Sequence, residues 1–284
     1  MNYYVIMPAH NEEAFIRLTL DSLLRQTLKP KKIIVVNDNS TDSTAKIIDE
    51  FINKTRTIIK INTHSSSEHL PGSKVINAFN KGLSLIDDDF DFIVKLDADL
   101  ILPENYFERI AYIFKGRPDV GIAGGFIYEE DASGLWTLNH TMDTDHVRGA
   151  FKAYSKSCFK AIGGLKAKMG WDTIDELLAQ YHGYVITTDE TLKVKHLRST
   201  GKAYNPNARY LQGNAMYTMR YGFFITLIAS LKMALKQRKK AVFFDNMYGY
   251  FEAKKEKVPF MVSLKEGRFI RKLRWKKIKS KLLP

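Results

Sequence analysis

The stretch Val94-Lys95-Leu96-Asp97-Ala98-Asp99 decides the predicted fold of this chain. It begins as an apolar run, typical of a buried strand, and ends in two carboxylates one residue apart. Because side chains i and i+2 of a strand point to the same side, Asp97 and Asp99 can converge on one point beyond the strand end. Two hard oxygen ligands suit a divalent cation that keeps positions open for a phosphate. A lone Asp-Ala-Asp segment is more often a solvated turn, so the case for a site depends on the rest of the chain.

Apolar runs alternate with helical patterns on both sides of this stretch. The run Lys32–Asn37, for example, is rich in the β-branched residues that favour strands. We expect further strands at 3–7, 57–63, 92–96 and 120–126, helices at 14–26, 74–86 and 103–114, and another helix that starts at 40–42. Such alternation with short connections is typical of an α/β fold, in which helices cover both faces of a mostly parallel sheet.

The second half of the chain is less regular. Residues 127–170 show no clear pattern, whereas a helix is expected at 173–182 and strands at 184–188 and 191–197. Beyond about residue 207 the chain becomes aromatic, methionine-bearing and basic, without strand–helix alternation. The sequence therefore predicts an α/β domain over residues 1–210 and a helical, basic C-terminal appendage over residues 211–284.

Composition narrows the class of protein. The 284 residues include 45% hydrophobic ones, enough for one large domain with an appendage. The net charge is +13, and nine Lys or Arg against one acidic residue lie from Lys265 onward. Cys158 is the only cysteine, which excludes intrachain disulfides and fits a reducing compartment. The first residues enter a strand directly, so no cleaved signal is expected and a cytoplasmic location is predicted.

Polar clusters follow four of the predicted strands directly. They occupy residues 8–13, 37–42, 64–73 and 97–99. In open α/β sheets, ligands bind beyond the carboxyl ends of the strands. One such cluster would be a turn, but several on one edge predict a shared polar site.

These clusters resemble, in order and spacing, the motifs of family 2 glycosyltransferases, which have the Rossmann-like GT-A fold. The matching segments are P-A-H-N-E-E at 8–13, V-V-N-D-N-S-T-D-S-T at 35–44, K-L-D-A-D at 95–99, R-G-A-F at 148–151 leading to A-I-G-G-L at 161–165, and G-W-D-T-I-D-E at 170–176. The resemblance covers about residues 2–200. Each motif is weak by itself, whereas five in register are specific.

The resemblance implies an inverting sugar transfer from a nucleotide-diphosphate sugar, with UDP or GDP as the leaving group. The acceptor would be a hydroxyl of a glycan or of a lipid-linked molecule, in surface polysaccharide or glycoconjugate synthesis. A divalent cation, Mg²⁺ or Mn²⁺, can neutralise the departing diphosphate as a Lewis acid. Asp99 and Asp97 are the predicted metal ligands, and His196 is a candidate further ligand because a neutral imidazole can bind a metal beside carboxylates.

The other site residues carried over from the family lie around this pair. Asp38 is expected to accept a hydrogen bond from the nucleotide base. The remaining predicted contacts to the nucleotide sugar are Pro8, Ala9, Asn11, Glu12, Lys74, Ala98 and Arg198. Glu12 and Glu13 also have the alternative of capping a helix, because acidic residues favour the first turn. The predicted acceptor side consists of Arg148, Gly149 and Trp171.

Inversion requires a base on the acceptor side of the sugar. Counted back from Gly183-Tyr184, Asp172 falls where the family's catalytic aspartate usually lies. Asp175 is the alternative, because this chain departs from the family's commoner E-D-x-D pattern and has Trp171 where an acidic residue is more usual. Residues i and i+3 share a helix face, so spacing does not decide between them.

The basic end of the chain has two interpretations. In residues 268–278, Lys and Arg alternate with large apolar side chains, as they do in segments that lie in an anionic membrane interface. One hypothesis is therefore peripheral attachment through this tail to the inner face of the cell membrane. The alternative is a helical cap on the domain with a solvated basic side. The basic residues of the tail do not follow the spacing of any recognisable nucleic-acid-binding module, so nucleic acid is not an expected partner.

Two other functions compete with glycosyl transfer. A sugar nucleotidyltransferase shares the nucleotide-binding architecture, but its glycine-rich, basic N-terminal loop is missing here. A non-catalytic protein that binds membrane or nucleic acid would be expected to have lost a carboxylate. The four carboxylates that the resemblance requires are all present, at positions 38, 97, 99 and 172.

Overall fold

A computed structural model describes residues 1–65, 72–131, 133–138, 146–198 and 209–282 of the chain. Its first half is a run of alternating strands and helices, as predicted. The elements are β1 (Tyr3–Ala9), α1 (Ile16–Leu24), β2 (Lys32–Asp38), α2 (Thr44–Ile52), β3 (Ile58–Thr63), α3 (Ser73–Leu83), β4 (Phe92–Leu96), β5 (Leu100–Ile101) and α4 (Tyr106–Gly116).

The irregular middle of the sequence completes the same sheet. It contributes β6 (Val120–Glu130), β7 (Trp136–Leu138), β8 (Phe151–Ser155), α5 (Lys156–Ala161), α6 (Trp171–Tyr181) and β9 (Val185–His196). Within the described residues the strand order is β3-β2-β1-β4-β8-β6-β9-β5, with β7 beside β6. Strands β1 to β4, β6 and β9 run the same way, whereas β8 lies antiparallel between β4 and β6.

The predicted mostly parallel α/β sheet is thus confirmed, with two differences. Strand β8 was not predicted, although it occupies the middle of the sheet. The predicted strands at 184–188 and 191–197 are one continuous strand, β9, which pairs with β6 through a shift in register between Gly124 and Phe126. Central strands such as β1 and β4 are buried along almost their whole length, because helices cover both faces.

The C-terminal appendage is helical, as predicted. It consists of α7 (Leu211–Thr218), α8 (Phe223–Gln237), α9 (Lys240–Lys255) and α10 (Leu264–Leu282). Its buried residues Met216, Ile225 and Ile270 belong to the same apolar cluster as the sheet. The predicted boundary near 210 adjoins residues 199–208, which lie outside the described residues, and the division into two units stays a prediction.

Helix α10 packs against the domain with its apolar side. Ile270 is fully buried, and the ring of Phe269 lies 5.5 Å from that of Tyr181 in α6. Arg274 donates a hydrogen bond of 2.6 Å to the hydroxyl of Tyr221. The tail therefore has the arrangement of an intramolecular cap. In the described part of the chain, none of the helices has the length and apolar character needed to cross a membrane.

Candidate active site

A cleft of about 340 Å³ opens at the carboxyl ends of β1, β2, β4 and β9. It collects residues that are up to 190 positions apart in the sequence, because parallel strands end at a common edge. Nine of the ten predicted contacts to the nucleotide sugar line the cleft, and the exception is Asn11. They are Pro8, Ala9, Glu12, Asp38, Lys74, Asp97, Ala98, Asp99 and Arg198. His10, Ser65, Val75 and Ala78 also line it.

The end of β2 presents Asp38 to the cleft in a fixed orientation. One of its carboxylate oxygens accepts hydrogen bonds from the hydroxyl of Thr63 at 3.0 Å and from the backbone N–H of Ser65 at 2.9 Å. His10 Nδ1 lies 2.6 Å from the backbone carbonyl oxygen of Asp38, so this histidine supports the loop. The predicted polar loop at 64–73 is described only at 64–65 and 72–73; its residues 66–71 lie outside the described residues.

Asn11 does not line the cleft. Its side-chain oxygen accepts a hydrogen bond of 2.8 Å from the backbone N–H of Thr41, and its own N–H donates to Ser40. Asn11 thereby ties the loop after β1 to the loop after β2. Glu13 accepts a hydrogen bond from the N–H of Ser43 beside the start of α2, the capping role that acidic residues favour.

The first aspartate of the pair has a buried lysine as its partner. Lys95 is 2% exposed and its ammonium donates to one carboxylate oxygen of Asp97. Burial raises the pKa of the Asp97 carboxyl, and the neighbouring charge of Asp99 adds to that rise, while Lys95 opposes it. Asp97 therefore enters the cleft already neutralised in part by the protein.

The second aspartate is buried but incompletely paired. Asp99 Oδ2 lies 3.3 Å from His196 Nε2, whereas Asp99 Oδ1 has no hydrogen-bond partner among the described residues. Burial alone would lower the pKa of His196. Its hydrogen bonds to Asp99 and Glu129 and the charges of Asp99 and Asp97 outweigh burial and raise that pKa. An unpaired buried carboxylate oxygen is costly unless a ligand satisfies it.

The residues present fit a cation at Asp99 and His196 better than at all three predicted ligands. The free Oδ1 of Asp99 and the imidazole beside it are an oxygen and a nitrogen donor of the kind that divalent metals accept. Asp97 is held by Lys95 instead. Across the described residues, no group of three or more His, Cys, Asp or Glu side chains is assembled for a metal.

Arg198 and Glu12 both line the cleft and bind each other. Their side chains form an ion pair of 2.5 Å, and Arg198 Nε lies 3.8 Å from Asp99 Oδ2. Burial raises the pKa of Glu12 to about 7, with Arg198 opposing and the charges of Asp99 and Asp97 adding to the rise. This pair holds a guanidinium in the lining of the cleft, and Arg is a side chain that can bind a phosphate in a bidentate manner.

The predicted acceptor-side segments lie against the same edge of the sheet. The carbonyl of Ala150 accepts a hydrogen bond of 2.8 Å from the backbone N–H of Asp97. A Cβ atom at Gly149 would lie 2.9 Å from the Trp171 ring and 3.1 Å from Asp172 Cβ, so only glycine allows this approach. Arg148 directly precedes this glycine, three residues before the start of β8. The structure thus brings the segment at 148–150 to the first turn of α6.

Helix α6 follows directly after Gly170, whose backbone conformation favours glycine. Gly170 has φ +83°, in the left-handed region, and Trp171 and Asp172 follow it at once. Trp171 is buried, with the ammonium of Lys95 5.2 Å and that of Lys152 5.9 Å from its ring. Trp171 therefore lies within cation–π range of both lysines.

The two candidate bases have different surroundings. Asp172 is half-buried, and its backbone carbonyl accepts a hydrogen bond of 2.5 Å from Lys152. Asp175 is 2% exposed, and its carboxylate binds Lys152 at 2.9 and 3.0 Å and the hydroxyl of Tyr154 at 2.5 Å. Burial raises the pKa of Asp175 to about 7 against the opposing charge of Lys152. The carboxylate of Asp175 is thus bound inside the protein, whereas Asp172 is the more exposed of the two aspartates.

Two lysines of this site were not predicted. Lys95 and Lys152 lie directly opposite each other on β4 and β8, and both are almost fully buried. One holds Asp97 on the donor side; the other holds α6 through Asp175 and Glu176. A lysine inside an apolar strand run was the available signal, because Lys is rarely buried unless it is paired.

Comparisons with known proteins agree with this geometry. A sequence model described as Glycosyl transferase family 2 matches residues 4–173. The poly-beta-1,6-N-acetyl-D-glucosamine synthase of Staphylococcus epidermidis is 25% identical over 186 residues, which are 59% of this chain and 41% of that protein. Glycosyltransferase GlyA of Streptococcus pneumoniae is 28% identical over 127 residues, 44% of this chain and 17% of that protein. The chain thus spans less than half the length of either relative.

Solved structures show the same fold. TarS 1-349 of S. aureus in complex with UDP-GlcNAc superimposes with a TM-score of 0.57 at 18% identity, covering 75% of this chain and 65% of that one. A mannosyltransferase from Pyrobaculum calidifontis in complex with GDP-Man and Mn²⁺ gives a TM-score of 0.58 at 16% identity, covering 94% and 78%.

Proposed function

The chain belongs to glycosyl transferase family 2, and we propose that it transfers a sugar from a nucleotide-diphosphate sugar to a hydroxyl group of an acceptor. The observation that carries the proposal is the single cleft in which Asp38, Asp99 and Arg198 meet at one edge of the sheet. These groups offer a base-pairing carboxylate, a cation ligand and a phosphate ligand to one extended donor.

The donor would lie along the strand ends. Asp38 would accept a hydrogen bond from the base, and Pro8 and Ala9 would border the pocket. Lys74 and Arg198 are the cations available to the diphosphate. The neighbours with UDP-GlcNAc and GDP-Man leave both UDP and GDP as candidates for the leaving group.

A divalent cation, Mg²⁺ or Mn²⁺, would be held by Asp99 and His196, and when bound would stabilise the negative charge of the leaving diphosphate. Asp97 acts beside it, with Lys95 limiting the charge that it adds to the cleft. Arg198 supplies a fixed positive charge 3.8 Å from Asp99, where it can contact the same diphosphate.

Asp172 is the proposed general base. It would remove the proton of the acceptor hydroxyl as that oxygen attacks the face of the sugar opposite the nucleotide, which inverts the anomeric centre. Arg148, Gly149 and Trp171 border the side from which the acceptor would approach. Asp175 is assigned a positioning role, because its carboxylate is bound internally to Lys152 and Tyr154.

The acceptor is proposed to be a glycan or a lipid-linked glycan, in the synthesis of a surface polysaccharide or glycoconjugate. A relative's name, poly-beta-1,6-N-acetyl-D-glucosamine synthase, supports this class of product. We place the reaction in the cytoplasm, where nucleotide sugars are available and the buried thiol of Cys158 would stay reduced.

Thermal denaturation with UDP or GDP, each with and without Mn²⁺, tests this proposal. We expect one nucleotide to raise the melting temperature in a Mn²⁺-dependent manner, because a ligand that binds the native state stabilises it. Asp99→Ala should abolish the metal-dependent part of the rise in melting temperature. Asp119→Ala should keep it, because Asp119 is an exposed aspartate directly before β6 that pairs with its neighbour Arg117 and does not line the cleft. If neither nucleotide shifts the transition with Mn²⁺ or Mg²⁺, the proposed donor site is wrong.

A further inference from the structure

Helices α8 and α9 carry a set of large apolar side chains that stay more than a third exposed in the described structure. On α8 they recur at i, i+4, i+7 and i+11, and on α9 at i, i+4 and i+7, so each helix has one apolar stripe. The members are Phe224, Ile228, Leu231 and Leu235 on α8 and Phe244, Tyr248 and Phe251 on α9. Phe224 is 67% exposed and Leu235 69%.

The two stripes belong to one surface. Helices α8 and α9 are joined by a short turn at 238–239 and pack against each other. The ring of Phe223, itself exposed, lies 5.4 Å from that of Phe224 and 6.0 Å from that of Phe251. Contiguous exposed apolar surface of this kind marks an interaction site in a folded protein, because it would otherwise favour aggregation.

The charges around this surface are mainly positive. Residues 223–257 contain eight Lys or Arg and three acidic residues. Lys232 and Lys236 flank the stripe of α8, and 238–240 form a basic turn, all of them exposed. One of the three acids, Asp245, is paired with Arg209 at 2.6 Å. The occupant of this surface should therefore be both apolar and anionic.

We propose that the α8–α9 surface docks onto an anionic lipid bilayer, with its aromatic and aliphatic side chains in the interface and its bases at the head groups. Amphipathic helices with Phe and Leu on one side and Lys and Arg beside them bind membranes in this way. A protein partner of ordinary composition would match the apolar stripes but would not explain the basic turn at the tip of the hairpin. This attachment is independent of sugar transfer.

The proposal moves the membrane contact away from the C-terminal tail. The apolar residues of α10 are already used inside the molecule, where Ile270 is fully buried and Phe269 packs on Tyr181. What α10 leaves outside is mostly a row of bases with Trp275 among them. Such a row attracts anionic surfaces over a Debye length, whereas α8 and α9 also offer several exposed apolar side chains for insertion.

Flotation of the full chain with phospholipid vesicles tests the apolar part. Phe224→Ser, Leu231→Ser and Phe244→Ser together should reduce binding to vesicles of phosphatidylcholine and phosphatidylglycerol by at least about tenfold. The matched control, Leu85→Ser with Tyr112→Ser, removes side chains that are 52% and 69% exposed on the α/β domain and should leave binding unchanged. All five positions are exposed, so the variants should fold, which circular dichroism would verify. Equal binding by the triple variant and the control would overturn the proposal.

Charge reversal separates the hairpin from the tail. Lys236→Glu, Lys239→Glu and Lys240→Glu should weaken binding by more than about tenfold, at roughly fivefold for each base lost near the surface. The same change at Lys272, Lys276 and Lys279 of α10 should have a smaller effect. A larger loss from the α10 variant, or equal binding to vesicles of phosphatidylcholine alone, would contradict a hairpin-based anionic contact. Sedimentation showing a dimer that the Ser triple variant dissociates would assign the surface to a second copy instead.

Discussion

Two aspartates three positions apart in α6 allow the assignment of the base to be tested residue by residue. Asp172→Asn keeps the shape of the side chain but cannot accept the acceptor proton, so we expect turnover to fall by about 10²–10⁴-fold with folding and donor binding retained. Asp175→Asn removes an internal partner of Lys152 and should lower the melting temperature, with residual turnover at low temperature. Turnover is measured as release of nucleoside diphosphate from the donor, and donor binding by calorimetry. Together these measurements separate a catalytic effect of Asp172→Asn from a structural effect of Asp175→Asn.

The opposite pattern would reassign the base. If Asp175→Asn folded with an unchanged melting temperature yet lost turnover, while Asp172→Asn stayed active, the buried carboxylate would be the catalytic one. Asp49→Asn, on the outer side of α2 where Asp49 pairs with Lys60, is a matched control that should change neither quantity.

The protonation of Glu12 should make the affinity of the cleft for a nucleotide sugar depend on pH. Burial raises its pKa to about 7, so the carboxyl is protonated below that pH and ionised above it. Because the ionised form adds negative charge beside a diphosphate, metal-free affinity for a nucleotide sugar should fall as pH rises from about 6 to about 8. The esterified diphosphate of the donor has no titration in this range. Calorimetric titrations in chelator should show the fall, and Glu12→Gln should reduce it. What remains is expected from His196, whose pKa is also raised; an unchanged dependence in Glu12→Gln would contradict the role of Glu12.

The same shift has a consequence for stability with a defined sign. A carboxyl whose pKa is higher in the folded state than in the unfolded chain binds more protons when folded. Its contribution is therefore present at low pH and is lost as pH rises through about 7. Glu12→Gln should make the stability of the protein less dependent on pH between about 5 and about 8.

The sequence alone predicted the positions of some site residues correctly and missed those of others. Asp38, Asp97 and Asp99 could be placed because each directly follows a strong apolar strand, and parallel strands end together. Asn11 was assigned to the nucleotide but serves the loops instead, because a motif match does not show where a side chain points. Lys95 was overlooked as a partner of Asp97, although side chains two positions apart share one side of a strand, because the sequence does not show that this lysine is buried.

At the scale of elements, β8 and α6 are joined through one buried cation. Lys152 is fully buried and binds Asp175, Glu176 and the backbone of Asp172. Lys152→Met would leave these carboxylates without their cation, so we expect a loss of about 3–5 kcal/mol in the free energy of unfolding. Denaturant titration measures it, and Lys193→Met, at an exposed lysine of β9, should change it by less than about 0.5 kcal/mol.

A double variant decides whether the loss comes from the charge network or from packing. Lys152→Met with Asp175→Asn removes the cation and one of its carboxylates together, so part of the stability should return. If the two losses simply add, the pairing between β8 and α6 is not the cause, and the methionine disrupts packing around Trp171.

Strand β8 also shows why elements were predicted unevenly. The strands β1, β2 and β4 are mainly apolar, because both of their faces are buried. Strand β8 contains Lys152 and Tyr154, whose polar atoms are satisfied only by α6, twenty residues later in the chain. A pattern of local hydrophobicity therefore gives no sign of a central strand whose polarity is compensated from elsewhere.

At the scale of the whole molecule, the packing of α10 on the α/β domain makes the C-terminal appendage part of one cooperative structure. Ile270 is fully buried and belongs to the same apolar cluster as the sheet, although its helix follows the sheet by more than sixty residues. Ile270→Ala should therefore cost about 2–5 kcal/mol in the free energy of unfolding, the range for truncating a buried aliphatic side chain. Lys272→Ala, exposed two residues later on the same helix, should cost less than about 0.5 kcal/mol. Denaturation followed by tryptophan fluorescence and by circular dichroism should give one coincident transition for both variants. A tail that bound membrane rather than the domain would leave Ile270→Ala as stable as the unmodified chain.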